Sequence, residues 1–145
     1  MDALGPGTQA LIAAAILNAL AAMAHLACIA IGPPAYRFMG AGEKLARSVQ
    51  AGKLQPTFVT LAVAGMLMAG AAYALSGAGV IVRLPLTRPA LLVISAVYLA
   101  RAFAVPFLQR RFPGNSAIFW AVSSGICLAI GLVHLYGLVY RWNEM

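Results

Sequence analysis

Four apolar stretches, residues 9–31, 57–76, 89–108 and 116–140, leave this chain few ways to fold. Each is roughly 20 residues or more, about 30 Å as a helix, which matches the hydrocarbon core of a bilayer. Proline and glycine mark their ends: Gly32-Pro33-Pro34 closes the first, Pro56 opens the second and Gly77 and Gly79 close it. Pro89 suits the first turn of the third, Pro106 is placed to bend its last turn, and Pro113-Gly114-Asn115 leads into the fourth. Proline lacks an amide and clashes with the preceding turn, so helices start or stop there. The stretches are too long for barrel strands and do not alternate polar with apolar residues. The expected fold is all-α, an integral membrane four-helix transmembrane bundle. A single transmembrane domain would span 1–145, with a basic loop at 32–56.

Composition agrees. Charged residues make up 9% of the 145 and hydrophobic ones 63%. A soluble domain typically carries about 25% charge to cover itself, so lipid is the solvent expected here. The N-terminal stretch lacks the basic n-region of a signal peptide and its apolar run is too long, which leaves a first span or signal anchor.

Charge sets the expected orientation. The loops after the first and third stretches carry Arg37, Lys44, Arg47, Lys53, Arg110 and Arg111, while the other side has Arg83, Arg88 and Arg141. The positive-inside bias places the richer side in the cytoplasm, with the N- and C-termini on the outer side. A short N-terminus bearing Asp2 and no base agrees. The net charge of +7 is explained by this bias and by lipid headgroups, not by nucleic acid.

Arg101 lies inside the third stretch, where insertion of an arginine costs about 2.5–3.5 kcal/mol. Snorkelling to the inner headgroups is one compensation. An internal site is the other: His25 and Arg101 fall at similar depth, Asn18, Ala22 and His25 share a face of the first helix, and Tyr98 and Arg101 share a face of the third. With Glu43, the one acid on that side, His25, Tyr98 and Arg101 form the candidate ligand site. Glu43 and Arg47 also suit an i,i+4 pair on a short interfacial helix, with Leu45 and Val49 turned to lipid.

His134 lies near the opposite end from His25, about 15 Å away in depth, too far to share a haem iron. A helix-packing role beside Tyr73 or Ser95 is expected for it. Trp120, Tyr136, Tyr140 and Trp142 suit interfacial belts. The stripes Ala62, Gly65, Ala69, Ala72 and Ala121, Gly125, Ala129 allow close helix approach, within the bundle or in a homo-oligomer. Cys28 and Cys127 have no metal-ligand spacing. With three acids in all, two-carboxylate mechanisms have no residues to run on, and no catalytic residue or metal site is assigned.

The stretch AHLACIAIGPPAYRFMGAGEKLAR resembles one in small four-span proteins of bacterial inner membranes. EKLARSVQAGKLQPTFVTLAVAG, Glu43 to Gly65, with VYLAR, Val97 to Arg101, is similar to the MAPEG family of four-span, trimeric, glutathione-dependent membrane enzymes. That resemblance implies that Arg47 and Arg101 hold glutathione carboxylates with Tyr98 beside them. Ala51 stands where the family's signature has asparagine. The function expected is a non-catalytic module that binds lipid, an apolar ligand or a membrane partner. A MAPEG-like enzyme and a subunit of an oligomeric transporter are the alternatives.

Overall fold

A computed structural model describes residues 5–145. Asp2, which entered the orientation argument, lies outside them. The helices are α1 (Pro6–Ile31), α2 (Pro33–Phe38), α3 (Glu43–Gln50), α4 (Gln55–Gly77), α5 (Thr87–Phe103), α6 (Val105–Arg111) and α7 (Ala117–Tyr140). A 3-10 turn, Trp142–Glu144, closes the chain, and no strand occurs among the described residues. Three of them, α1, α4 and α7, are long and apolar enough to cross a membrane.

Local chemistry sets the boundaries. Gly32 ends α1 with φ 84°, a left-handed value that suits glycine, and Pro33 and Pro34 then start α2. Ser116 caps α7 by accepting a hydrogen bond from the Phe119 amide at 3.1 Å. The third apolar stretch departs from expectation: it starts at Thr87 and breaks at Ala104, where α5 and α6 meet at 66°. Pro106 is the physical reason, because it has no amide to give the Ala102 carbonyl and its ring would strike that carbonyl. The Phe107 amide bonds the Ala104 carbonyl three residues back at 3.1 Å, and the Leu108 amide shares that carbonyl at 3.0 Å as α6 resumes. α5 alone is about 26 Å long at helical rise.

α1 packs broadly on α4 and also on α7, α5 packs on α7, and α4 meets α5 more sparingly. Contacts pair the start of one helix with the end of its neighbour, so neighbours are antiparallel. A β-carbon on Gly7 would sit 2.8 Å from Tyr140 Cβ, and one on Gly137 would sit 2.5 Å from Leu11 Cγ. The core holds many small or polar side chains: Ala14, Ala15, Ala22, Ala71, Ala74, Asn18, Ser95 and His134 are all buried. Large apolar ones such as Leu20, Met23, Phe58, Met66, Val97 and Val122 face outward. That inversion suits lipid, where helices associate by close approach rather than by hiding hydrocarbon from water.

Two expectations are corrected here. Leu45 and Val49 do not face outward; they pack against Cys28, Tyr36 and Ala46, and α3 exposes Glu43, Lys44 and Arg47. Apart from half-buried Ala72, the small-residue stripes do not pack the bundle either. α4 packs through Thr60, Ala64, Ala71 and Ala74, while Ala62, Gly65, Ala69 and, on α7, Ala121, Gly125 and Ala129 are exposed.

The glycines give a direct test. Gly137→Ala drives a methyl into Leu11 and should cost about 1–3 kcal/mol, the usual range for overpacking. Gly125→Ala meets nothing within 4 Å and gains helix propensity, so it should be neutral or stabilising by up to about 1 kcal/mol. Melting curves in detergent check both, and equal destabilisation by the two would contradict this packing.

Candidate functional site

In an apolar solvent every polar side chain must find a protein partner, so the polar residues inside the helices show where the elements are pinned. Asn18 sits near the middle of α1 and is 1% exposed. Its Nδ2 donates to the Ala14 carbonyl at 3.0 Å and lies 2.9 Å from His134 Nε2 on α7. The Tyr98 hydroxyl on α5 donates to Asn18 Oδ1 at 2.7 Å. His134 Nδ1 faces the Ile130 carbonyl at 2.9 Å. A carbonyl only accepts, so Nδ1 carries the proton and Nε2 is free to accept from Asn18. The four bonds therefore agree on a single set of donors and acceptors, with a neutral imidazole. The Tyr98 and His134 rings stack at 5.7 Å.

Small residues make room for this node. A β-carbon on Gly70 of α4 would lie 3.1 Å from Asn18 Oδ1, and one on Gly131 of α7 would lie 3.1 Å from Tyr98 Cβ. Three helices thus meet on one amide, with the fourth long segment closing over it at glycine.

Towards the α2 and α3 end, Arg101 occupies a second polar layer between α5 and α7. Its Nη2 donates to Ser123 Oγ at 2.8 Å, and its guanidinium lies 5.5 Å from the centre of the Trp120 ring. Such a contact favours a desolvated cation. Arg101 Nη1 and Ser124 Oγ are buried without a hydrogen-bond partner among the described residues. Trp120 is itself buried, 4% exposed, so it packs under the arginine instead of standing in an interfacial belt.

At the end of the molecule, Glu43 is held from two sides. Arg37 reaches it twice, Nε to Oε2 at 2.9 Å and Nη2 to Oε1 at 3.1 Å, and Arg47 Nε lies 3.2 Å from Oε1. The hydrogen bonds from Arg37 and then Arg47 pull the carboxyl down to about 2. The α1–α2–α3 segment docks on the opposite loop, where Asn115 Nδ2 donates to the Gly40 carbonyl at 3.1 Å. Beneath it, the Tyr36 hydroxyl donates to Thr60 Oγ1 at 3.0 Å, since the Thr60 hydroxyl is committed to the Pro56 carbonyl.

The hydrogen bonds of the residues singled out from the sequence therefore go to separate places. Tyr98 bonds Asn18, Arg101 bonds Ser123, and Glu43 and Arg47 bond one another beside Arg37. His25 Nδ1 folds back on the Ala21 carbonyl of its own helix at 2.7 Å. His134 is a packing residue, with Asn18 and Tyr98 as neighbours. Sequence reasoning passed over Asn18 as more than a face-mate of His25. The signal was present: an amide in mid-span needs a partner from another helix. Arg37 was counted as a charge, and its role as the main partner of Glu43 follows only from the fold of α2 against α3.

Among the described residues no three His, Cys, Asp or Glu side chains come close enough to hold a metal ion, and Cys28 and Cys127 are free thiols. No protein-family model, characterised protein or solved structure matches this chain.

Two outcomes follow from these bonds. Asn18→Ala leaves His134 Nε2 and the Tyr98 hydroxyl without their partner and should destabilise by about 1–3 kcal/mol. Because Tyr98→Phe breaks the same node, the double variant should lose clearly less than the sum. Additivity within about 0.5 kcal/mol in detergent unfolding would show that the node is not shared. For Glu43, a carboxyl held low contributes above the ordinary range near 4.3 and loses that contribution as pH falls through about 2. An NMR titration of Glu43 should show that low midpoint, and Arg37→Gln should move it up. A midpoint near 4.3 in the unaltered protein would contradict the double clamp.

Proposed function

We propose that this chain is a four-helix integral membrane module that binds anionic phospholipid at its basic end. In this reading α5 supplies the fourth crossing and α6 turns at the Ala104 break to lie along the interface. The protein sits in a bacterial inner membrane, the basic end faces the cytoplasm and both termini are periplasmic.

One observation carries the proposal. The end built from α2, α3, α6 and the loops beside them holds Arg37, Lys44, Arg47, Lys53, Arg110 and Arg111 against a single acid. That acid is fully engaged by Arg37 and Arg47, so Lys44, Lys53, Arg110 and Arg111 have no salt bridge among the described residues. Around this basic end runs a collar of exposed apolar side chains: Phe38 at 82%, Phe103 at 72% and Phe107 at 76%. Cations above an apolar collar match the order of a bilayer, headgroups above hydrocarbon. Each basic residue near an anionic surface contributes about 1 kcal/mol, and four unpaired ones together outweigh what an isolated surface ion pair supplies.

Glutathione binding requires Arg47 and Arg101 to act on one ligand. Arg47 is tied to Glu43 and Arg101 to Ser123, so this reading becomes the competing outcome of the test.

The test compares melting of the protein in nanodiscs of phosphatidylglycerol and of phosphatidylcholine, at low and high salt. The expected result is a higher midpoint in phosphatidylglycerol whose salt-sensitive part disappears when Lys44, Lys53, Arg110 and Arg111 are all changed to Gln. Equal midpoints in the two lipids, or stabilisation by glutathione in their place, would overturn it.

A further inference from the structure

At the end of the molecule opposite the basic loop, the chain leaves α4, crosses residues 78–86 and enters α5, and the C-terminal turn folds back over this junction. An open cleft of about 300 Å³ remains there, lined by Arg83, Leu84, Thr87, Arg88 and Met145 among others. Two guanidinium groups share this small space. Among the described residues neither has a carboxylate: Glu144 directs its Oε2 to Arg141 Nη1, 3.0 Å away, and offers Arg83 only its backbone carbonyl. Arg88 is oriented by Trp142, whose ring centre lies 5.5 Å from the guanidinium, and its Nε is buried with no hydrogen-bond partner among the described residues.

We propose that this cleft is a binding site for the phosphate of one anionic phospholipid, held by Arg83 and Arg88. A phosphate would accept from the terminal nitrogens of Arg83 and Arg88, since guanidinium groups match phosphate geometry with paired donors. The first amides of α5 add to the attraction, since Leu86 gives them no side-chain cap and a helix N-terminus favours an anion. The Thr87 hydroxyl is not a ligand, because it is committed to the Leu84 carbonyl at 2.7 Å. The rim identifies the source of the phosphate. Leu84, Leu86 and Pro89 line it beside the charges, and Leu86 is 75% exposed. A headgroup with acyl chains fits such a rim, whereas a free ion leaves Leu86 uncovered.

This site is separate from the basic end and differs from it physically. The basic end attracts headgroups through exposed charges that salt screens, whereas the half-buried Arg88, held against Trp142, is screened less. Native mass spectrometry after washing in detergent at high salt isolates the second kind of binding. The expected result is one retained phosphatidylglycerol per protein, weakened at least about tenfold in Arg88→Gln and in Arg83→Gln. The Lys44, Lys53, Arg110, Arg111→Gln variant should retain it. Because Arg88→Gln also removes the stack on Trp142, a photoreactive residue at Leu86 in the otherwise unaltered protein gives a second readout, cross-linking to phosphatidylglycerol over phosphatidylcholine. Unchanged retention in both arginine variants, or no lipid preference in cross-linking, would overturn the proposal. Inorganic phosphate that displaces the lipid at low millimolar concentration would overturn the lipid assignment and make this a site for the free anion.

Discussion

The hydrogen-bond node at Asn18 is the interaction on which the rest of the architecture depends. Lipid hydrocarbon offers no donor or acceptor, so an amide in mid-span is costly unless other helices complete it. Here α7 offers the imidazole acceptor and α5 the phenol donor, and the Ile130 carbonyl dictates which imidazole nitrogen accepts. The consequence is geometric. Rotating or sliding α1, α5 or α7 by one residue breaks bonds that nothing nearby replaces. Pure hydrocarbon packing would not set this register so sharply, since an apolar face slides past another at modest cost. The value of each bond is small in membranes, about 0.6 kcal/mol on average, so their role lies in choosing one arrangement over its neighbours.

Close backbone approach is what brings the node within bonding distance. Gly7 and Gly137 let α1 and α7 touch at one end, and Gly70 clears space for the Asn18 side chain. Large apolar groups are left on the outside, as suits a lipid surround. The two ends of the molecule are finished differently. One end carries exposed cations over an aromatic collar and suits a broad anionic surface. At the other end, Arg141 reaches Gly77 and Thr8 at 2.7 and 2.5 Å and ties the C-terminal turn to α4 and α1. Beside this tie, Arg83 and Arg88 line an open cleft.

Particular residues show how far the sequence could be read. The first, second and fourth apolar stretches, the helix ends at Gly32, Pro56 and Ser116, and the Glu43–Arg47 pair are local features, and the structure agrees with them. Pro106 was visible as a breaker, but not that the break at Ala104 would turn α6 away by 66°. The direction of a chain after a break depends on what receives it. Leu45 and Val49 could face lipid or protein with equal local logic, and the fold of α2 against α3 settled it. Trp120 could anchor at an interface, yet Arg101 on a neighbouring helix holds it inside.

Sequence alone determined the apolar stretches long enough to cross a membrane, the helical state and the uneven distribution of charge. Each follows from hydropathy, backbone hydrogen bonding and residue counts along a single segment, with no reference to a neighbour. Only the tertiary structure decided which polar residues meet. Asn18, Tyr98 and His134 are separated by 80 and 116 residues along their bonds, and no periodicity within one helix encodes a partner on another. The same holds for the pairing of Arg37 with Glu43 and for the unpaired guanidinium nitrogens of Arg88 and Arg101. Whether a charge is satisfied depends on the distance to groups brought in by other helices, and helix packing sets those distances.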